Sequence, residues 1–131
     1  MTENRTISLL SADEHPLFRE GISKVAADQP DMAIVAEAAE GRDAIEEFRR
    51  HRPDVVLLDI RLPDMSGLDV LSTIRTEFQD ARALMLTTAE GDVDIQRALQ
   101  AGARGYMLKS ASPRDLLDSI RRIMISPICL G

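Results

Sequence analysis

The chain predicts a doubly wound α/β sandwich on a parallel five-stranded sheet, and three observations lead there. Short apolar runs, several rich in β-branched residues, alternate with stretches of helical period from one end to the other. The connections are short, as expected when each helix carries the chain back over the sheet. The best-marked run, Val55-Val56-Leu57-Leu58, is apolar throughout, as a strand covered on both faces should be, and it stops abruptly at Asp59.

The first strand is expected over Thr6 to Ser11. Pro16 then suits a first helical position, and Phe18, Ile22, Val25 and Ala26 follow at helical spacing. Met32 to Ala36 reads as the second strand and Gly41 to His51 as a helix with Ala44, Ile45 and Phe48 on one side. Asp59 closes the third strand; Leu68, Leu71 and Ile74 mark the inner face of the third helix. Ala83 to Thr87 is the fourth strand, and Val93, Ile95, Ala98 and Leu99 mark a fourth helix that Gly102 caps. Gly105 to Leu108 is a short fifth strand. Ser112, Pro113 and Asp115 then form a capping-box-like start to the last helix. Right-handed crossovers leave few windings, and the flavodoxin-like (βα)5 order 2-1-3-4-5 is the expected one.

Composition narrows the function. With 44% hydrophobic and 29% charged residues the chain has an ordinary globular balance, enough for a core without metal or disulfide support. The single Cys129 cannot form an internal disulfide and reads as an incidental thiol. No apolar stretch is long enough to cross a membrane, and the N-terminus lacks a signal-peptide pattern, so a cytoplasmic location is expected. A net charge of -6 argues against direct grip on nucleic acid, which relies on clustered Lys and Arg; any DNA contact would come from another segment.

The chemistry-bearing residues stand at strand ends. The expected order brings Asp13 and Glu14, after the first strand, against Asp59 at the end of the third. Three carboxylates in one crevice repel one another unless protons or a cation offset the charge. Mg²⁺ suits such a site, being a hard ion that binds one or two carboxylates together with phosphate oxygens. Thr87 ends the fourth strand with a hydroxyl, and Lys109 follows the fifth with an ammonium. Singly, each has a plain structural reading as cap, β-former or solvated charge. Together they suit attack by the Asp59 carboxylate on a phosphoryl group, with Thr87 and Lys109 binding the other oxygens. His15 and His51 read as helix-end or surface residues.

These stretches, from Thr6 to Ile125, resemble the receiver domain of two-component response regulators. The matching segments are Ser11-Ala12-Asp13-Glu14-His15-Pro16, Val55 to Gly67, Leu86-Thr87-Thr88 and Gly105-Tyr106-Met107-Leu108-Lys109. Asp13 to Gly21 and Lys109-Ser110-Ala111-Ser112-Pro113 are similar to the branch whose receivers precede a LuxR/NarL-type helix-turn-helix domain. The resemblance implies that Asp59 accepts a phosphoryl group from a phosphohistidine on a sensor histidine kinase. It implies Mg²⁺ held by Glu14, Asp59 and the backbone carbonyl of Arg61, with Asp13 acting through water. It also implies that Lys109 pairs with the aspartate or phosphoryl group, that Thr87 moves toward that group, and that Tyr106 then turns inward. The shifted surface of helix four, strand five and helix five would control an output, with homodimerisation on phosphorylation as one form of it.

Some positions depart from the commonest pattern of the family. Glu14 stands where a second Asp is usual, Thr88 where Ala is frequent, and Ser110 where many receivers have proline. Arg61 and Ala89 occupy positions that tune hydrolysis in the family. The expected organisation is a receiver over 1–125 and a tail over 126–131. It would be cut from a longer transcription factor, or else be a stand-alone receiver. A haloacid-dehalogenase-like phosphatase is the enzyme alternative, but such enzymes carry Asp-x-Asp after their first strand, and here the second position is His15. A flavin or nucleotide carrier would need a hydroxyl- and glycine-rich loop where Asp13-Glu14 stands.

Overall fold

The computed structural model describes residues 6–88 and 92–125. Five strands, β1 Ile7–Ala12, β2 Met32–Ala38, β3 Val55–Asp59, β4 Ala83–Thr87 and β5 Gly105–Leu108, form one parallel sheet in the order β2-β1-β3-β4-β5. The expected order and architecture are therefore met. The helices are α1 Pro16–Ala27, α2 Gly41–His51, α3 Gly67–Glu77, α4 Asp92–Gln100 and α5 Pro113–Ile125.

Alternation along the central strands sorts the core into two layers. Val56, Leu58, Ala83 and Met85 join one cluster with Ala44, Phe48, Leu71, Ile74 and Ala98, from α2, α3 and α4. Val55, Leu57, Leu84 and Leu86 join the other with Ile22, Ala26, Leu116 and Ile120, from α1 and α5. Because helices cover both faces, β3 and β4 are buried at every position. This is the physical reason for unbroken apolar runs in the sequence.

Several local expectations shift. β1 starts and ends one residue later than expected, and β2 runs on to Ala38 because Glu37, though charged, points at α1, where Arg19 Nε donates to it at 3.2 Å. Val70, not named from periodicity, is fully buried in α3, whereas Leu68 is only half-buried. Leu99, expected to mark the inner face of α4, is 56% exposed; that face centres on Ala98. Ser112 Oγ accepts from Asp115 N at 3.1 Å, and Gly102 takes φ 99°, as the capping readings require. Ala89, Cys129 and the tail 126–131 lie outside the described residues, as does the side chain of Val93.

Candidate functional site

The C-terminal rim of the sheet gathers the predicted groups because β1 and β3 are neighbours and their crossovers leave in opposite directions. Asp13 follows β1 directly and is buried; its backbone N–H donates to Ala38 O at 2.9 Å, tying it to the end of β2. Asp59 is the last residue of β3 and is also buried. The chain can fold back over it only because Gly67 opens α3. A Cβ there would lie 2.2 Å from the Asp59 backbone oxygen. Ser66 caps that helix by accepting from Leu68 N at 3.0 Å. Asp64 in the same loop caps α2 instead, accepting from Gly41 N at 2.6 Å and Arg42 N at 3.0 Å.

Lys109 links the two buried carboxylates. Its Nζ lies 2.6 Å from Asp13 Oδ2 and 3.0 Å from Asp59 Oδ2, and the Phe18 ring backs it at 4.7 Å. The ammonium donates a hydrogen bond to Asp59, whereas its approach to Asp13 is an ion pair off the hydrogen-bond direction. Asp13 Oδ2 is thus buried with no hydrogen-bond donor. Asp13 Oδ1 accepts from His15 N at 2.8 Å, and Asp59 Oδ1 from Arg61 N at 3.0 Å.

Two carboxylates share one ammonium, so the pocket carries excess negative charge in a place with little water. Burial raises the Asp59 carboxyl above its ordinary value, and the Asp13 charge adds to the rise. The Arg61 N–H and the Lys109 ammonium pull it partly back. A hard divalent cation fits this donor set. Its ligands would be oxygens, one of which lacks any hydrogen bond, and its charge would relieve the repulsion.

The remaining predicted residues fall into place unevenly. Thr87 is buried at the end of β4, where its carbonyl accepts from Lys109 N at 2.8 Å, so the two residues are held side by side across adjacent strands. Arg61 leaves β3 at the rim, exposed and bridged to Ser66. Glu14 stands outside the carboxylate group: its side chain is 43% exposed and reaches only to His15 Nε2, at 4.0 Å. Tyr106, on β5, packs against the α2/α3/α4 core layer with its hydroxyl out of solvent.

His15 is the residue that sequence reasoning passed over. It is the N-cap of α1, yet its Nδ1 lies 3.0 Å from Asp13 Oδ1 and 3.4 Å from Lys109 Nζ. Its place two residues after a buried Asp was the available signal. His51, by contrast, ends α2 and pairs with Glu47 at 3.2 Å, as a helix-end residue should.

The family model for the response regulator receiver domain matches residues 9–121. The chain belongs to the response regulator receiver domain family. It is 37% identical over 125 residues to a nitrate/nitrite response regulator protein homolog of Haemophilus influenzae, a match covering 95% of this chain and 60% of that protein. This receiver domain therefore spans about three fifths of that relative's length. Among solved structures it is similar to the receiver of a putative response regulator NarL from Mycobacterium tuberculosis, with TM-score 0.89 and 30% identity over 94% of this chain and 99% of that one. It is also similar to a LuxR-family response regulator from Aurantimonas sp., with TM-score 0.87 and 35% identity over 91% of this chain and 85% of that one. Its close relatives are thus of the LuxR/NarL kind, a family in which phosphorylation and Mg²⁺ are standard. No helix among the described residues is long and apolar enough to cross a membrane.

Proposed function

We propose that Asp59 is the phosphoacceptor of this receiver and that Lys109 and Thr87 are the groups that bind the transferred phosphoryl oxygens. The observation that carries this reading is the Lys109 ammonium, 2.6 Å from Asp13 and 3.0 Å from Asp59, with Thr87 bonded to the Lys109 backbone beside them. An Asp59 oxygen forms the bond to phosphorus as the phosphorus–nitrogen bond of a kinase phosphohistidine breaks, and the imidazole leaves with the electron pair. Asp13, Asp59, Glu14 and the Arg61 carbonyl are the proposed holders of Mg²⁺, with Glu14 turning in from its exposed position. When bound, the ion neutralises carboxylate and phosphoryl charge. Lys109 then exchanges an aspartate partner for a phosphoryl oxygen, and the Thr87 hydroxyl donates to another. Transfer and later hydrolysis are self-directed, so no metabolite is turned over.

Thr87 and Tyr106 are the proposed switch, acting on the face of α4, β5 and α5. A sensor histidine kinase is the proposed donor. An apolar groove of about 230 Å³ between α1 and α5, lined by Phe18, Ile22, Met107, Pro113 and Leu116 with Leu17 82% exposed at its edge, would take an apolar helical surface of that kinase. In a full-length protein of LuxR/NarL type the output would be DNA binding by a separate helix-turn-helix domain, through a homodimer formed on phosphorylation.

The test is intact mass after incubation with Mg²⁺ and acetyl phosphate. One phosphoryl group on the wild type and none on Asp59→Ala is expected. Equal labelling of both would remove Asp59 from the role, and steady hydrolysis of varied phosphomonoesters would mark a phosphatase instead.

A further inference from the structure

We propose that Arg19 is a positioning residue for the phosphoryl-transfer pocket: braced against Glu37, its guanidinium holds the Asp13 backbone so that the Asp13 carboxylate keeps its direction into the pocket. The proposal rests on the reading that this pocket takes up Mg²⁺, and it names a residue that reading does not use.

Asp13 stands after the last residue of β1 and before α1, so its carbonyl belongs to neither a ladder nor a helix. Three hydrogen bonds hold the residue instead. Its N–H donates to Ala38 O at 2.9 Å, its carbonyl accepts from Arg19 Nη1 at 2.5 Å, and its Oδ1 accepts from His15 N at 2.8 Å. Bonds to the N–H and the carbonyl fix the peptide planes on either side of the Cα, and those planes set where the side chain leaves the backbone. Arg19 holds the plane that leads toward α1.

The edge strand is built to support that guanidinium. The register of β2 on β1 slips by one residue, since Leu9 pairs with Ile34 and Leu10 with Ala36, which leaves Val35 unpaired. Residues two apart on an uninterrupted strand share a face, yet Ile34 packs on the α1/α5 layer and Ala36 on the α2/α3/α4 layer. The bulge thus reverses the alternation and turns Glu37 to α1, where it would otherwise face away. There Glu37 accepts from Arg19 Nε at 3.2 Å and from Ser23 Oγ at 3.3 Å. The Glu37 side chain is 43% exposed, and a pair so open to solvent adds little to stability. What the bulge secures is the placement of the guanidinium, and through it of Asp13.

Calorimetric titration of Mg²⁺ into the metal-free protein reads the brace without any turnover. Arg19→Met keeps the apolar stem and removes the donors, and its Mg²⁺ dissociation constant is expected to rise roughly tenfold. The half-saturating Mg²⁺ for labelling by acetyl phosphate should rise with it, with the rate largely recovered in saturating Mg²⁺. Arg19→Lys keeps the charge but loses the planar fork, and a smaller rise is expected there, which also serves should Arg19→Met not fold. Glu37→Ala frees the far end of the guanidinium and should weaken Mg²⁺ as well. The two ends carry opposite charges, so a plain charge effect would strengthen Mg²⁺ binding in Arg19→Met and weaken it in Glu37→Ala; that pattern, or unchanged affinity in both Arg19 variants, would overturn the brace while leaving the cation pocket standing. A wild type that binds no Mg²⁺ would overturn both readings.

Discussion

The two rims of the sheet hold similar charges and treat them in opposite ways. At the N-terminal rim Asp54 and Asp31 each have donors enough. Asp54 accepts from Ser8 N at 2.9 Å and Ser8 Oγ at 3.2 Å, and Asp31 meets Arg121 through two bonds, at 2.9 and 2.8 Å. At the C-terminal rim Asp13 and Asp59 are both buried and share one lysine. The first arrangement ties loops and α5 to the sheet. The second leaves an unmet charge, which is useful only to a rim that will take up a cation and a phosphoryl group.

The largest effect expected from breaking this contrast is at Lys109. Replacing it with Met leaves two buried carboxylates with no ammonium between them, and losing one partner of a buried ion pair costs about 3–5 kcal/mol. Urea unfolding should show that loss without Mg²⁺ and recover a large part of it in saturating Mg²⁺, since the ion offsets the same repulsion. A Lys109→Met protein as stable as the wild type in the absence of Mg²⁺ would mean that the pocket is wetter than its burial implies.

Asp59→Asn should act in the other direction. It removes one negative charge and leaves Asp13 and Lys109 as a balanced pair, a gain on the order of 1 kcal/mol at neutral pH. Because burial raises the Asp59 carboxyl in the folded protein, its charge penalises folding in full above that raised value. The penalty fades as pH falls toward the ordinary carboxylate value of about 3.9. Thermal unfolding of the two proteins should therefore differ most at pH 7, by about 3–5 °C, and converge in acid. A gap that widened on acidification would contradict the assignment.

How far these sites could be read from sequence depended on whether their causes are local. Strand ends follow from runs such as Val55 to Leu58, and the winding rules then bring Asp13, Asp59, Thr87 and Lys109 to one rim, so those placements were legible. His15 was not, because a cap residue's ring direction depends on the hydrogen bond its own backbone makes to Asp13. Nor was the length of β2, since Glu37 reads as polar until Arg19 and Ser23 of α1 are seen to donate to it. Asp64 looks like a turn residue in its own loop, and only folding puts it at the start of α2. Leu99 failed for a simpler reason: a helical period finds a stripe, but the small Ala98 is what the sheet admits most closely.

The smallest expected effect sharpens the contrast from the N-terminal side. The Arg121 hydrogen bonds, the largest influence on Asp31, hold its carboxyl below the ordinary value. Its contribution to stability is therefore complete above about pH 3.9 and is lost as pH falls through the lowered folded value. Asp31 and Arg121 are both more than a third exposed, so solvent screening limits the pair to about 0.5 kcal/mol. Asp31→Asn should weaken the protein by that much at pH 7, in low salt more than in high, and by nothing once Asp31 is protonated in the wild type. The two aspartates thus have pH profiles of opposite sign: acid removes a stabilising charge at Asp31 and a destabilising one at Asp59. Stability curves for both Asn variants across pH 2–7 would separate a rim built to hold the fold from one held in tension; parallel curves would show that the two rims do not differ.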